Sequence, residues 1–206
     1  MPDFSIENDA RNNGYQIIAG VDEAGRGPWC GPVVAGAAIL DPATLPEDLL
    51  KGLDDSKKLK AEKREALLER LKQHAIIGVG EASVEEIDRF NILAATMMAM
   101  KRAVEDLKTP VDLALIDGNK TPDLDCPAQA VVKGDGKSLS IAAASIVAKV
   151  TRDKIMEELA DAYPGYGWEK NAGYGTKAHQ EALAAHGVTP HHRKSFAPIR
   201  RLIEGA

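Results

Sequence analysis

Gly20-Val21-Asp22-Glu23-Ala24-Gly25-Arg26-Gly27-Pro28, continued by Cys30-Gly31-Pro32-Val33-Val34-Ala35, sets two adjacent acids between an apolar run and a glycine-rich turn. Upstream, Tyr15 to Val21 has the β-branched content of a strand, and Val33 to Leu40 reads as a second, well-buried one. The turn between them carries the acids. Side chains alternate along a strand, so in a strand that crosses a core at least one of Asp22 and Glu23 is buried at a cost. A buried carboxylate is neutralised, paired or bound to a metal, and Gly25-Arg26-Gly27 lets backbone N–H groups and a guanidinium approach an anion. Acids beside phosphate-binding groups point to a metal between them. The plain alternative is a polar surface turn, which the same residue types form.

At 206 residues the chain is long enough to bury a proper core, and 44% hydrophobic with 28% charged residues is a globular composition. No apolar run reaches bilayer length, so no membrane partner is expected, and the polar, acidic stretch from Met1 to Asn13 is read as a loose tail rather than a secretory leader. Cys30 and Cys126 form no C-x-x-C or zinc spacing, which makes a reducing cytoplasm the expected location. The net charge of -5 argues against indiscriminate coating of nucleic acid, yet Lys57-Lys58, Lys60 and Lys63-Arg64 cluster, as do His191-His192-Arg193-Lys194 with Arg200-Arg201.

Further along, Glu62 to Lys72 has a helical face of Leu67, Leu68 and Leu71, and Ala75 to Ala82 is a third strand candidate. Ser83-Val84-Glu85-Glu86 has the capping-box arrangement, and from Ile92 to Leu107 apolar residues recur at helical spacing. Val111 to Ile116 is a strand that ends in Asp117-Gly118-Asn119, and Val131-Val132-Lys133-Gly134-Asp135 repeats the pattern of an acid after an apolar run. Ile141 to about Leu159 reads as a helix opening on small residues. The order of elements describes an α/β sheet of mixed direction flanked by helices, over 14–162, with a C-terminal helical appendage over 163–206.

Asp22, Glu23, Asp117 and Asp135 thus stand at or near the ends of three sheet segments. Oxygen ligands suit hard cations such as Mg²⁺, and two such ions about 4 Å apart activate an attacking water and stabilise the leaving oxygen in phosphoryl displacement. Neither G-x-x-x-x-G-K-[ST] nor G-x-S-x-G occurs, so nucleoside triphosphate hydrolysis and serine hydrolase chemistry have no support.

Gly20 to Pro28, Asp55-Ser56-Lys57-Lys58-Leu59, Asp117-Gly118-Asn119, Lys133-Gly134-Asp135, Ala142 to Asp153, Gly173-Tyr174-Gly175-Thr176 and His192-Arg193-Lys194-Ser195-Phe196 resemble, in order, the motifs of bacterial ribonuclease HII, over Ile17 to Phe196. The resemblance implies a ribonuclease H-like mixed sheet. It implies an endonuclease that hydrolyses the RNA strand of RNA–DNA hybrids and cuts 5′ of single ribonucleotides in duplex DNA, leaving 3′-hydroxyl and 5′-phosphate ends with Mg²⁺ or Mn²⁺ as cofactor. By the same resemblance Asp22, Glu23, Asp117 and Asp135 are the catalytic metal ligands. Gly25, Arg26 and Gly27 would read the 2′-hydroxyl and its phosphate, and Tyr174 would press against the sugar at the junction with DNA. A 2′-hydroxyl both donates and accepts, so its recognition needs the close polar contacts that glycine backbone permits.

Lys57, Lys58, Lys149, Arg193 and Lys194 are then candidate phosphate contacts. Asp153 is read either as a peripheral metal-site acid or as a helix Asp paired with Arg152 or Lys149. No general-base role is given to His179, His191 or His192, because a metal lowers the pKa of its own water. Trp29-Cys30 and Gly136 stand at positions that vary in the family pattern, which bears on substrate detail. A junction resolvase of the same fold and a non-catalytic hybrid-binding module are the competing functions, and a monomer is expected.

Overall fold

The computed structural model describes residues 1–205. Five strands form one sheet in the order β3-β2-β1-β4-β5: β1 is Ile18–Ala24, β2 Val33–Ile39, β3 Ile76–Ala82, β4 Leu113–Asp117 and β5 Ala128–Val131. β2 pairs antiparallel with both β1 and β3, while β4 runs parallel to β1 and β5 parallel to β4. The sheet is therefore mixed, as the alternation of elements predicts. Its parallel half has a functional consequence: the C-terminal ends of β1, β4 and β5 emerge along one edge, the usual side for a site in such sheets.

Helices cover both faces. Ala19, Val21, Ala35 and Ala37 pack with Ala95, Ala99 and Ala103 of α4 (Val84–Asp106), and on the other face Ala38 packs with Ala142, Ile146 and Val147 of α5 (Leu139–Ala162) and with leucines of α3 (Ala61–His74). The approach of α5 is close because β1 and β2 offer it glycines. A Cβ on Gly20 would collide with the backbone of Ser140 and Ile141, and one on Gly36 with Ala144 and Ala148. The small residues that open α5 are the matching half of that contact.

Local signals explain most boundaries. The Ser83 capping box is formed, and the chain then breaks at Asn91 (φ 70°), whose Oδ1 accepts from the N–H groups of Leu93 and Ala94 to restart α4. Two short helices, α2 (Glu47–Gly52) and α6 (Trp168–Asn171), lack a periodic stripe long enough to read. The expected loose tail is a correction: Ser5–Asn12 is helix α1. Its Ala10 packs with Leu113, Leu115 and Ile141, and buried Glu7 accepts from Ser138 Oγ (2.6 Å) and Ser140 N (3.0 Å) at the start of α5. A tail rich in Asp, Asn and Glu looks solvated because the α5 N-terminus that receives its carboxylate lies 131 residues away.

Residues beyond α5 carry α6, α7 (Lys177–His186) and α8 (Ala197–Glu204). Their apolar residues Trp168, Leu183 and Ile199 close on Met156 of α5 and on Cys30 behind the glycine-rich turn.

Candidate active site

Three parallel strands deliver the acids. Asp22 and Glu23 lie near the C-terminal end of β1, Asp117 ends β4, and Asp135 sits in the 3-10 turn Gly134–Gly136 that follows β5. β4 and β5 pair with Asp117 beside Val131, and the Asp117 carboxylate accepts from Gly134 N–H at 2.6 Å, which folds the Asp135 turn back toward β4. The cavity opens off the strand ends rather than one face, so both Asp22 and Glu23 reach it despite being consecutive.

One cavity of about 390 Å³ is lined by Asp22, Glu23, Gly25, Arg26, Gly27, Lys57, Lys149, Asp117 and Tyr174. Nine residues singled out in the sequence thus line one cavity. Asp135 joins them through Lys57, whose Nζ lies 3.5 Å from its carboxylate. Burial pushes the pKa of Asp22 well up, with the charges of Glu23 and Asp117 adding to it. Burial also raises Glu23, against the opposing charge of Arg26, and raises Asp117, helped by Asp135. For Lys57 burial opposes the charge, but the carboxylates of Asp22 and Asp135 outweigh it and its pKa rises. Among the described residues only two cations pair with these four acids, Lys57 with Asp135 and Arg26 (3.3 Å) with Glu23, because Lys149 and Arg64 turn to Asp153 and Arg152 to backbone carbonyls.

That imbalance, in an all-oxygen donor set, fits divalent cations of the Mg²⁺ or Mn²⁺ type. The carboxylates are spread around the cavity; among the described residues the one group of three ligand-type atoms mutually within 4.8 Å is Cys30, His179 and His192, elsewhere.

The glycine-rich turn is held from behind by two buried arginines. Arg193 is fully buried and spends its guanidinium on backbone carbonyls: Nε donates to Gly31, one terminal nitrogen to Arg26 and Pro28, the other to Gly25 and Pro32. Arg152 donates to the carbonyls of Cys30, Pro32 and Ala172. Gly25, at φ 97°, lies so close to the Arg152 side chain that a Cβ would collide with it. Tying the carbonyls inward leaves the N–H groups of Arg26 and Gly27 outside the hydrogen bonds among the described residues, ready for an anion. Burial, with Arg152 beside it, pushes Arg193 down to about 9, so it remains charged at neutral pH.

Arg193 is accordingly a correction: it was expected on a phosphate, and it has no donor left for one. Lys58 turns to Asp54 at 3.0 Å and Lys194 lies exposed with its N–H on Asp88, both off the cavity wall. Asp153 pairs with Lys149 (2.6 Å) and Arg64 (3.3 Å), the ion-pair reading with one partner unforeseen. Arg64, Arg152 and Ser56 also line the cavity. The sequence signal for Arg64 was only its place in a basic run; its roles on the Ser56 and Leu59 carbonyls needed the fold.

Comparison with known proteins bears on family and fold. The ribonuclease HII family model matches residues 19–199. The chain is 58% identical over 199 residues to ribonuclease HII of Paramagnetospirillum magneticum, covering 97% of each. Among solved structures it resembles the ribonuclease H2 of Pyrococcus horikoshii (28% identity, TM-score 0.76, 92% of this chain and 98% of that one). It shares the fold of Bst-RNase HIII in complex with Mn²⁺ (20% identity, TM-score 0.72, 96% and 72%).

Proposed function

The chain belongs to the ribonuclease HII family, and on that premise we propose that it cuts 5′ of single ribonucleotides in duplex DNA as well as within hybrids, by hydrolysis assisted by two divalent cations. The coarser activity follows from the family: a metal-dependent endonuclease acting on the RNA strand of RNA–DNA hybrids. The carrying observation for the finer reading is one cavity lined both by carboxylates and by the Gly25-Arg26-Gly27 turn with Tyr174.

Asp22, Glu23, Asp117 and Asp135 would hold the cations. When bound, these supply an activated water and neutralise charge building on the phosphate and the leaving oxygen. The remaining roles belong to the protein. Free N–H groups of the turn and the Arg26 guanidinium grip the phosphate beside the 2′-hydroxyl, close enough for RNA to differ from DNA by a hydrogen bond. Tyr174, half exposed and against Gly27, offers a flat face to the sugar next to it. Lys57 and Lys149 steady flanking phosphates without reading bases. Action as a monomer in the cytoplasm completes the reading; no helix among the described residues is long and apolar enough to cross a membrane.

The test is cleavage of a labelled duplex carrying one ribonucleotide, with Mg²⁺, Mn²⁺ or chelator, beside an all-DNA duplex. Metal-dependent cutting 5′ of the ribonucleotide alone is expected. Cutting restricted to long hybrids would reject the junction role of Tyr174, and cutting of a branched all-DNA junction would favour a resolvase.

A further inference from the structure

We propose that His179 and His192 are positioning residues for Tyr174: the pair holds the Tyr174 carbonyl and thereby sets where the phenol ring lies over the cavity. This rests on the reading of Tyr174 as the sugar-contacting residue and deepens it. The ring of Tyr174 is half exposed, while its backbone is pinned on both sides. Its N–H donates to the Asn171 carbonyl at 2.9 Å, and its carbonyl accepts from Thr176 N–H at 2.8 Å. The remaining partner of that carbonyl is Nδ1 of His179, at 3.0 Å.

Two groups that can only donate fix the protons along this path. Thr189 N–H points at Nδ1 of His192 (3.0 Å), so that nitrogen carries a lone pair and the neutral ring bears its proton on Nε2. Nε2 of His192 lies 3.1 Å from Nε2 of His179, which also accepts from the indole N–H of Trp168 at 3.1 Å. With Nε2 accepting, His179 carries its proton on Nδ1 and donates it to Tyr174. Thr189 Oγ1 lies 2.9 Å from the same Nδ1 of His192 and donates to it in this arrangement, and only this pair of tautomers gives both fixed donors, Thr189 N–H and the Trp168 indole, an acceptor. Both rings are fully buried, and burial lowers the pKa of each, to about 4 for His192 with the neighbouring His179 contributing.

Cys30 lies within 4.8 Å of the two ring nitrogens, which raises a metal site as the competing use. The surroundings speak against it: the Nε2 of His179 that would bind already accepts from Trp168, and the buried guanidinium groups of Arg152 and Arg193 stand beside Cys30, where a further cation would be repelled. The pair is wired for hydrogen bonding toward Tyr174.

The experiment compares Tyr174→Ala, His179→Phe and His179→Asn by the ratio of kcat/KM on a single-ribonucleotide duplex to that on a uniform hybrid. His179→Asn keeps an amide donor where Nδ1 stands. A fall in the ratio of about tenfold, the scale of one lost buried hydrogen bond, is expected for Tyr174→Ala and His179→Phe, with recovery in His179→Asn and no further fall in the Tyr174→Ala/His179→Phe double variant. A fall for Tyr174→Ala with none for folded His179→Phe overturns the relay alone; an unchanged ratio in Tyr174→Ala overturns the junction reading and this inference with it. Should His179→Phe fail to fold, imidazole ¹H–¹⁵N correlations on the wild-type protein decide. Protons on Nδ1 of His179 and Nε2 of His192 are expected, and the opposite tautomer at either ring overturns the assignment.

Discussion

The carboxylate edge and the turn that faces it are built on opposite electrostatic terms. At the edge, four acids share a partly buried cavity with little compensation, and three have pKa values raised chiefly by burial. Behind the turn, two buried guanidinium groups have eight hydrogen bonds to backbone carbonyls between them. One region is electrostatically unfavourable by itself, and the other is satisfied from the start. On the proposed function, binding belongs to the first and shape to the second.

The largest expected effect breaks the first region. Asp22→Asn or Asp117→Asn should lower cleavage by about a thousandfold or more, as loss of a group acting on transition-state charge does. The same change should stabilise the metal-free protein. The folded pKa of Asp22 is raised above the ordinary 3.8, so the folded protein holds a proton that the unfolded chain releases. Stability is therefore fully present below 3.8 and declines as pH rises toward the raised value, staying reduced above it. Melting of wild type and Asp22→Asn across pH, without and with Mg²⁺ or Mn²⁺, reads this directly. Wild type should melt lower than the variant without metal at neutral pH, by a difference of about 1 kcal/mol, and should gain more when metal is added. Equal melting without metal would mean that the edge carries no stored charge repulsion.

The second region should fail in the reverse sense. Arg193→Ala leaves the carbonyls of Gly25, Arg26, Pro28 and Gly31 without their guanidinium donor and Pro32 with Arg152 alone, and should cost about 3 kcal/mol or more, read as a lower denaturant midpoint that added metal does not restore. Arg193→Lys should recover little, since one ammonium cannot span carbonyls that a planar fork reaches. A midpoint within experimental error of wild type in Arg193→Ala would erase the distinction between a charged edge and a structural turn.

How far each region could be read in the sequence follows from the same physics. The edge was legible: an acid at the end of an apolar run, repeated on three segments, needs only strand periodicity to bring Asp22, Asp117 and Asp135 to one side. The sheet, the capping box at Ser83 and the restart after Asn91 were legible for the same reason, being set by near neighbours. The support behind the turn was not. His191-His192-Arg193-Lys194 reads as a solvated basic run, yet His192 and Arg193 are fully buried while Lys194 is exposed. What buries Arg193 is a set of carbonyls more than 160 residues away, and a carbonyl has no sequence signature because every residue carries one. Glu7 went unread likewise, its partner being the start of a distant helix.

The smallest effect sharpens the boundary between cavity and surface, at Lys57 and Lys58. The two were grouped as phosphate contacts on sequence, but the 3-10 turn Ser56–Lys58 sends them apart: Lys57 to the cavity and Asp135, Lys58 back to Asp54. Both side chains are mostly exposed, so neither ion pair contributes much to stability, and the difference should show in binding alone. Each phosphate neutralised releases condensed counterions, so Lys57→Ala should reduce the slope of log affinity for hybrid against log salt by about 1. Lys58→Ala should leave that slope unchanged, because its ammonium already faces a carboxylate off the cavity wall. Binding is best measured with Ca²⁺ in place of the active metal, so that the hybrid stays intact through the titration. Slopes equal to wild type in both variants would return both lysines to ordinary surface and leave Lys149 and Arg26 as the cations of the cavity that meet the duplex, and an equal reduction in both would put Lys58 on a phosphate as well.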